Sequence, residues 1–185
     1  VSVKEMVGAF SIYANKGVYN VPMMVTKIED KYGNVLANFY PESREVITEN
    51  TAFLMANLLQ GVVDEGTGRR LRFRYGFKNQ IGGKTGTTQN HSDGWFIGIT
   101  PDLAGGVWVG AEDRSIHFQN LANGQGASMA LPIWALFMQK VYADKSLAVP
   151  QGDFQKPNGV NHVLDCGDAD REGMTDYDSS DEIFD

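Results

Sequence analysis

The sequence predicts an α+β domain in which antiparallel strands carry packed helices, and two observations predict it. Three β-prone runs, 80–88, 94–100 and 106–112, follow one another, the last two joined only by Pro101-Asp102-Leu103-Ala104-Gly105, and so short a link favours antiparallel neighbours. Three other segments, near 3–14, 49–64 and 127–143, place apolar residues at three-and-four spacing, which gives a helix one buried face.

Each element has a local reason. Ser2-Val3-Lys4-Glu5 has capping-box spacing, Val3, Met6, Val7, Phe10, Tyr13 and Ala14 form the stripe that follows, and Gly17 is a suitable stop. Val21–Glu29 and Asn34–Tyr40 read as a hairpin about Asp30-Lys31-Tyr32-Gly33. Thr48 can cap a second helix, Glu49–Asp64, with Met55, Leu58, Leu59 and Val62 as its buried stripe and Gly66-Thr67-Gly68 as its end. The run Arg69-Arg70-Leu71-Arg72-Phe73-Arg74, with Lys78 behind it, alternates as a half-exposed strand or extended loop does. The helix at 127–143 should lie on the sheet through Met129, Ile133, Leu136, Phe137 and Val141, with Pro132 tolerable near its first turn.

The 185 residues are room for one ordinary domain or a large piece of a bigger one. With 42% hydrophobic and 21% charged residues, a packed core fits, and collagen, coiled coil and wholesale disorder do not. The longest apolar stretch, Met129–Met138, contains Pro132 and is too short to span a bilayer, and Val1–Glu5 lacks the pattern of a leader peptide. The lone Cys166 and the histidines His91, His117 and His162 show no metal-ligand spacing, so neither a zinc site nor any other cofactor is expected. The net charge of −7 belongs to the end of the chain, because residues 1–150 carry +1 and residues 151–185 carry −8. A nearly neutral body argues against nucleic acid as a partner, the arginine run notwithstanding. Residues 1–148 are expected to fold, and 149–185 to form an acidic, flexible tail. There is no internal repeat.

The chemistry lies in Gly82-Gly83-Lys84-Thr85-Gly86-Thr87-Thr88. A phosphate-binding loop would need its first glycine at position 78, which is Lys78; Gly76 is two residues out of register, and Gly86-Thr87-Thr88 is poor helix material. Acyl transfer by an active-site serine is the competing chemistry, with Lys-Thr-Gly on a strand lining the cleft. In an extended chain Thr85 and Thr87 fall on one side, Gly86 between them leaves room for a substrate backbone, and Lys84 falls on the other side. Two hydroxyls with an ammonium nearby suit a carboxylate. Trp95 and Trp108 are expected to bury area against flanking helices, Asp93 and Glu112-Asp113 to be solvated loop carboxylates, and His91 and His117 to be surface residues.

Taken together, Gly83-Lys84-Thr85-Gly86-Thr87-Thr88, Asp93 to Leu103 and Gly106-Val107-Trp108-Val109-Gly110 resemble the transpeptidase domain of class A penicillin-binding proteins. Gly61 to Gly68 and the first helix, with Phe10, Tyr13, Ala14 and Gly17, also look like segments of that family, and the likeness covers roughly 1–145. It implies a peptidoglycan D,D-transpeptidase inhibited by β-lactams, built as an antiparallel sheet with helices on both faces. It implies that Lys84 polarises the serine network and that the Thr85 and Thr87 hydroxyls bind the terminal carboxylate of a stem peptide or antibiotic beside Gly86. The Thr87 backbone N–H would be an oxyanion donor.

One departure is large. No serine here stands three residues before a lysine, and no Ser-x-Asn occurs, whereas this family uses Ser-x-x-Lys and Ser-x-Asn, both upstream of Lys-Thr-Gly. The expectation is therefore that the chain is the C-terminal portion of the catalytic domain, completed by an upstream part, in a parent held at the outer face of the bacterial cytoplasmic membrane. A noncatalytic module of the same fold is the alternative, and a β-lactamase-like hydrolase a lesser one.

Overall fold

The structure is a computed structural model and describes residues 1–160, so Cys166, His162 and the sequence expectations for 161–185 lie outside the described residues. In chain order the elements are α1 (Val3–Ala14), β1 (Val18–Asn20), β2 (Lys27–Glu29), β3 (Val35–Asn38), β4 (Ser43–Glu45), α2 (Glu49–Asp64), α3 (Arg70–Phe73), β5 (Gly82–Thr87), β6 (Asp93–Ile99), β7 (Ala104–Gly110), α4 (Leu121–Gly124) and α5 (Gly126–Ala143). The main sheet is antiparallel in the order β5-β6-β7, with Thr85 opposite Phe96 and Trp95 opposite Trp108. Two small ribbons stand apart from it, β1 with β4 and β2 with β3.

Helices cover both faces, as the resemblance implies. Phe96 and Gly98 of β6 face α5, where Phe96 meets Trp134 edge-on with ring centroids 5.3 Å apart. Ile99, on the opposite face, packs with Ala56 and Leu59 of α2 and with Phe10 and Tyr13 of α1. Val63, Leu71, Phe77, Ile81 and Trp134 fill the larger core cluster beneath α5.

The expected capping box starts α1: the Ser2 hydroxyl accepts from the Glu5 N–H, and the Glu5 carboxylate accepts from the Ser2 N–H at 2.7 Å. Those bonds hold the Glu5 carboxyl below its ordinary range. The buried stripes of α2 and α5 differ from expectation. In α2 they are Ala52, Ala56, Leu59 and Val63, while Leu58 is 67% exposed; in α5 Met129, Ala130, Leu131, Trp134, Ala135 and Met138 are buried, while Ile133, Leu136 and Phe137 are exposed. Small residues let both helices approach the sheet closely, a preference that reading by bulk hydrophobicity misses. Pro132 stands seven residues into α5, outside the first turn, and removes the donor that would meet the Ser128 carbonyl.

The arginine run is a correction too. It forms the short helix α3, whose Leu71 is fully buried, in place of the expected strand or loop. Past Pro150 the chain stays against the body, Phe154 donating its N–H to Gln80 Oε1 at 2.8 Å and packing beside Ile99, with Val160 buried. The packed chain thus runs beyond the boundary expected at 148.

A Cβ at Gly98 would stand 2.5 Å from Trp134 Cζ2, whereas one at Gly61, inside α2, would meet nothing within 4 Å. Gly98→Ala should therefore lower stability by about 1–3 kcal/mol, and Gly61→Ala should raise it by about 0.5–1 kcal/mol. Urea unfolding monitored by circular dichroism checks both signs.

Candidate active site

Among the described residues β5 is an edge strand, and its free side is where the chemistry-bearing residues gather. Thr88 N–H donates to the Asp93 carbonyl at 3.1 Å where the β5–β6 ladder closes. Alternation from that pair turns the peptide groups of Lys84 and Gly86 toward β6 and leaves the N–H and C=O groups of Thr85 and Thr87 on the free edge. The Lys84 ammonium donates to the Thr85 carbonyl at 2.8 Å. Its stem leaves on the side opposite the two hydroxyls, as strict alternation requires, and its head returns to the edge they share.

Both threonine hydroxyls are fixed from behind. Thr85 Oγ1 lies 2.7 Å from Thr67 Oγ1, and Thr87 Oγ1 accepts the N–H of Gly126, the first residue of α5, at 3.0 Å. Because a hydroxyl carries one proton and accepts through its lone pairs, Thr87 keeps its proton to donate. The Thr67–Thr85 pair uses one of its two protons internally and keeps the other. The edge therefore offers two hydroxyl donors, an ammonium and the outward Thr87 N–H. It contains no nucleophile within the described residues: Ser92 is buried and bonded to Thr88 and Asp93.

On the opposite side of the strand, Lys84, Gly86, Trp95 and Ile97 line a recess of about 280 Å³ with Met6 and Phe10 of α1. A larger hollow, about 460 Å³, lies under residues 150–155 between Tyr13, Glu49 and Asp102, remote in sequence and position from the hydroxyl edge.

Several residues depart from the roles expected of them. Asp93 is buried rather than solvated: it accepts from Thr88 Oγ1, Ser92 Oγ and Trp108 Nε1 and pairs with Arg114 at 3.4 Å, locking the turn that follows Thr87. Trp95 and Trp108 lie against each other, with centroids 6.4 Å apart and Trp108 41% exposed, and the fully buried indole is that of Trp134, which α5 itself presses onto β6 and β7. His91 is half-buried with its Nδ1 enclosed and unpartnered among the described residues, whereas His117 is exposed. Two of the four arginines are struts, while Arg69 and Arg74 stay exposed. Arg70 donates to the Ala127 carbonyl and to Ser128 Oγ, both at 2.9 Å, and Arg72 binds Asp64 and the carbonyls of Phe77 and Asn79. Thr67 was not singled out in sequence for this edge, because nothing local shows that a residue 18 positions before Thr85 returns to it.

Residues 1–127 match the family described as the penicillin binding protein transpeptidase domain. The chain belongs to that family. Penicillin-binding protein 1A of Aquifex aeolicus is 33% identical over 153 residues, which are 83% of this chain and 20% of that protein. The chain thus spans about a fifth of the length of the curated relatives it matches. In fold it is similar to penicillin-binding protein 1A of Haemophilus influenzae, with a TM-score of 0.74 at 24% identity over 85% of this chain and 28% of that one. It is also similar to penicillin-binding protein A of Mycobacterium tuberculosis, solved as an imipenem acyl-enzyme complex, with a TM-score of 0.57 at 20% identity over 75% and 31% of the two chains. The resemblance to penicillin-binding proteins and the fold it implies are both borne out.

Within this transpeptidase fold Arg72 ties α3 to α2 and to the chain entering β5. Arg72→Ala should lower stability by about 2 kcal/mol, since it strips charged hydrogen bonds from partly buried partners, while Arg74→Ala on the exposed side should change it by less than about 0.5 kcal/mol. Thermal and urea unfolding of the two variants measure the difference.

Proposed function

We propose that this chain supplies the Lys-Thr-Gly wall of a serine acyl-transfer site that cross-links peptidoglycan stem peptides and is acylated by β-lactams. The free edge of β5 carries the reading: two hydroxyls, an ammonium and an outward N–H stand within four consecutive residues, Lys84 to Thr87. A substrate carboxylate would accept from Thr85 and Thr87 beside the Lys84 charge. The carbonyl under attack would direct its oxygen at the Thr87 N–H, which stabilises the negative charge of the tetrahedral intermediate. The nucleophilic serine, its lysine and the Ser-x-Asn segment would come from chain outside these 185 residues. The whole protein would be bacterial, anchored in the cytoplasmic membrane and active on its outer side; no helix among the described residues is long and apolar enough to cross a membrane. The acyl-enzyme state of the Mycobacterium tuberculosis fold relative is of the kind that such a wall serves.

Labelled penicillin and intact-mass spectrometry test the division of labour. The 185-residue chain alone should form no stable adduct, because covalent catalysis needs an activated nucleophile. In the intact protein carrying this sequence, Lys84→Ala should slow acylation at saturating β-lactam by roughly a hundredfold, equivalent to about 2.7 kcal/mol. Thr85→Val should instead raise the half-saturating concentration with a smaller effect on the rate. Unchanged acylation in folded Lys84→Ala would sink the reading, and a stoichiometric adduct on the chain alone would contradict the external nucleophile.

A further inference from the structure

We propose that Thr67 is a positioning residue for substrate binding: its hydroxyl donates to Thr85 Oγ1 and thereby turns the Thr85 proton outward to the substrate carboxylate. The inference rests on the reading that the Thr85 hydroxyl is a carboxylate ligand. Its observations are separate from that reading. Thr67 Oγ1 and Thr85 Oγ1 stand 2.7 Å apart although 18 residues separate them in the chain. The threonine is held there by the turn that closes α2, in which Gly66 N–H donates to the Gly61 carbonyl at 3.1 Å and Gly68 N–H to the Val62 carbonyl at 2.9 Å. That turn lies tight against the end of α2, with no room for a side chain: a Cβ at Gly66 would stand 2.9 Å from both Cα and O of Val62, and one at Gly68 3.1 Å from the same carbonyl oxygen.

A free threonine hydroxyl rotates among three staggered positions, and only some of them aim its proton at a given acceptor. When Thr67 donates to Thr85 Oγ1, the Thr85 proton must point away from Thr67, along the face where Thr87 already keeps its own proton free. A hydroxyl that accepts one hydrogen bond also donates a stronger second one, because the chain of dipoles is polarised in one direction. Thr87 receives the equivalent service from the Gly126 N–H. The two carboxylate donors are thus set from behind by two groups that never touch the substrate, one on the α2–α3 turn and one on α5.

Acylation kinetics of the intact protein with a carboxylate-bearing β-lactam and with its carboxylate methyl ester test the role. Thr67→Val should raise the half-saturating concentration for the free acid about fivefold, the effect of one hydrogen bond. The maximal rate and the constants for the ester should stay within about twofold of the parent. Thr67→Ser, which keeps the hydroxyl, should restore tight binding. In a double-mutant cycle, Thr67→Val added to Thr85→Val should have no further effect, because the role acts through Thr85. An additive double variant, equal losses with acid and ester, or no change in Thr67→Val while Thr85→Val weakens binding would each overturn the positioning role and leave the carboxylate reading standing. No change in Thr85→Val itself would overturn both. Thr67→Ala, with its thermal midpoint measured, serves in place of valine if that variant does not fold.

Discussion

Helix α5 lies almost on the backbone of the sheet, and the position of the reactive edge depends on that approach. Gly94 and Gly98 leave the face of β6 open to Met129 and Trp134, and a Cβ at Gly126 would collide with the carbonyl oxygens of Gly86 and Trp95. With nothing between them, the first N–H of α5 reaches the Thr87 hydroxyl. The same end of the helix is tied to α3 by Arg70, and α3 follows directly from the turn that holds Thr67. Both hydroxyls of the edge are therefore set by one connected assembly: glycine-lined sheet, α5, Arg70, the α2–α3 turn.

Under the proposed function, that assembly is what would let an edge strand serve a charged ligand. Both of its hydroxyls are held in place from behind, so little reorganisation would accompany binding or charge development there. The Lys84 ammonium sits on its own strand's carbonyl and not in an ion pair, so its charge is not cancelled by a neighbouring carboxylate among the described residues. Beyond Thr87 the turn is pinned by the buried Asp93, whose bonds to Thr88, Ser92 and Trp108 hold the end of β5 in place, as the proposed oxyanion role of the Thr87 N–H would require.

The sheet and its main helices were legible in the sequence because each depends on local signals. Short turns set β6 and β7, and caps and periodicity set α1, α2 and α5 within a residue or two. What was not legible depends on distant partners. Ser43-Arg44-Glu45 has no strand character of its own and becomes β4 only by pairing with Val18–Asn20. The arginine run reads as alternating, yet Arg70 and Arg72 find carbonyls and Asp64 once α3 is packed, so half of its charge becomes structural. Asp93 looks like a loop acid until Trp108 closes over it from the next strand. The Lys-Thr-Gly residues themselves were readable, together with the opposite sides on which Lys84 and the threonines stand. The partners of those threonines were not, since Thr67 and Gly126 reach them only through the tertiary fold.

On the proposed function, the free edge of β5 binds the carboxylate and the reacting carbonyl of an acyl donor. A crystal structure of the intact protein acylated by a carboxylate-bearing β-lactam tests it most directly. The drug carboxylate should lie within hydrogen-bonding distance of the Thr85 and Thr87 hydroxyls, with the acyl oxygen at about 3 Å from the Thr87 N–H. An adduct whose carboxylate and acyl oxygen both lie away from residues 84–87 would contradict it.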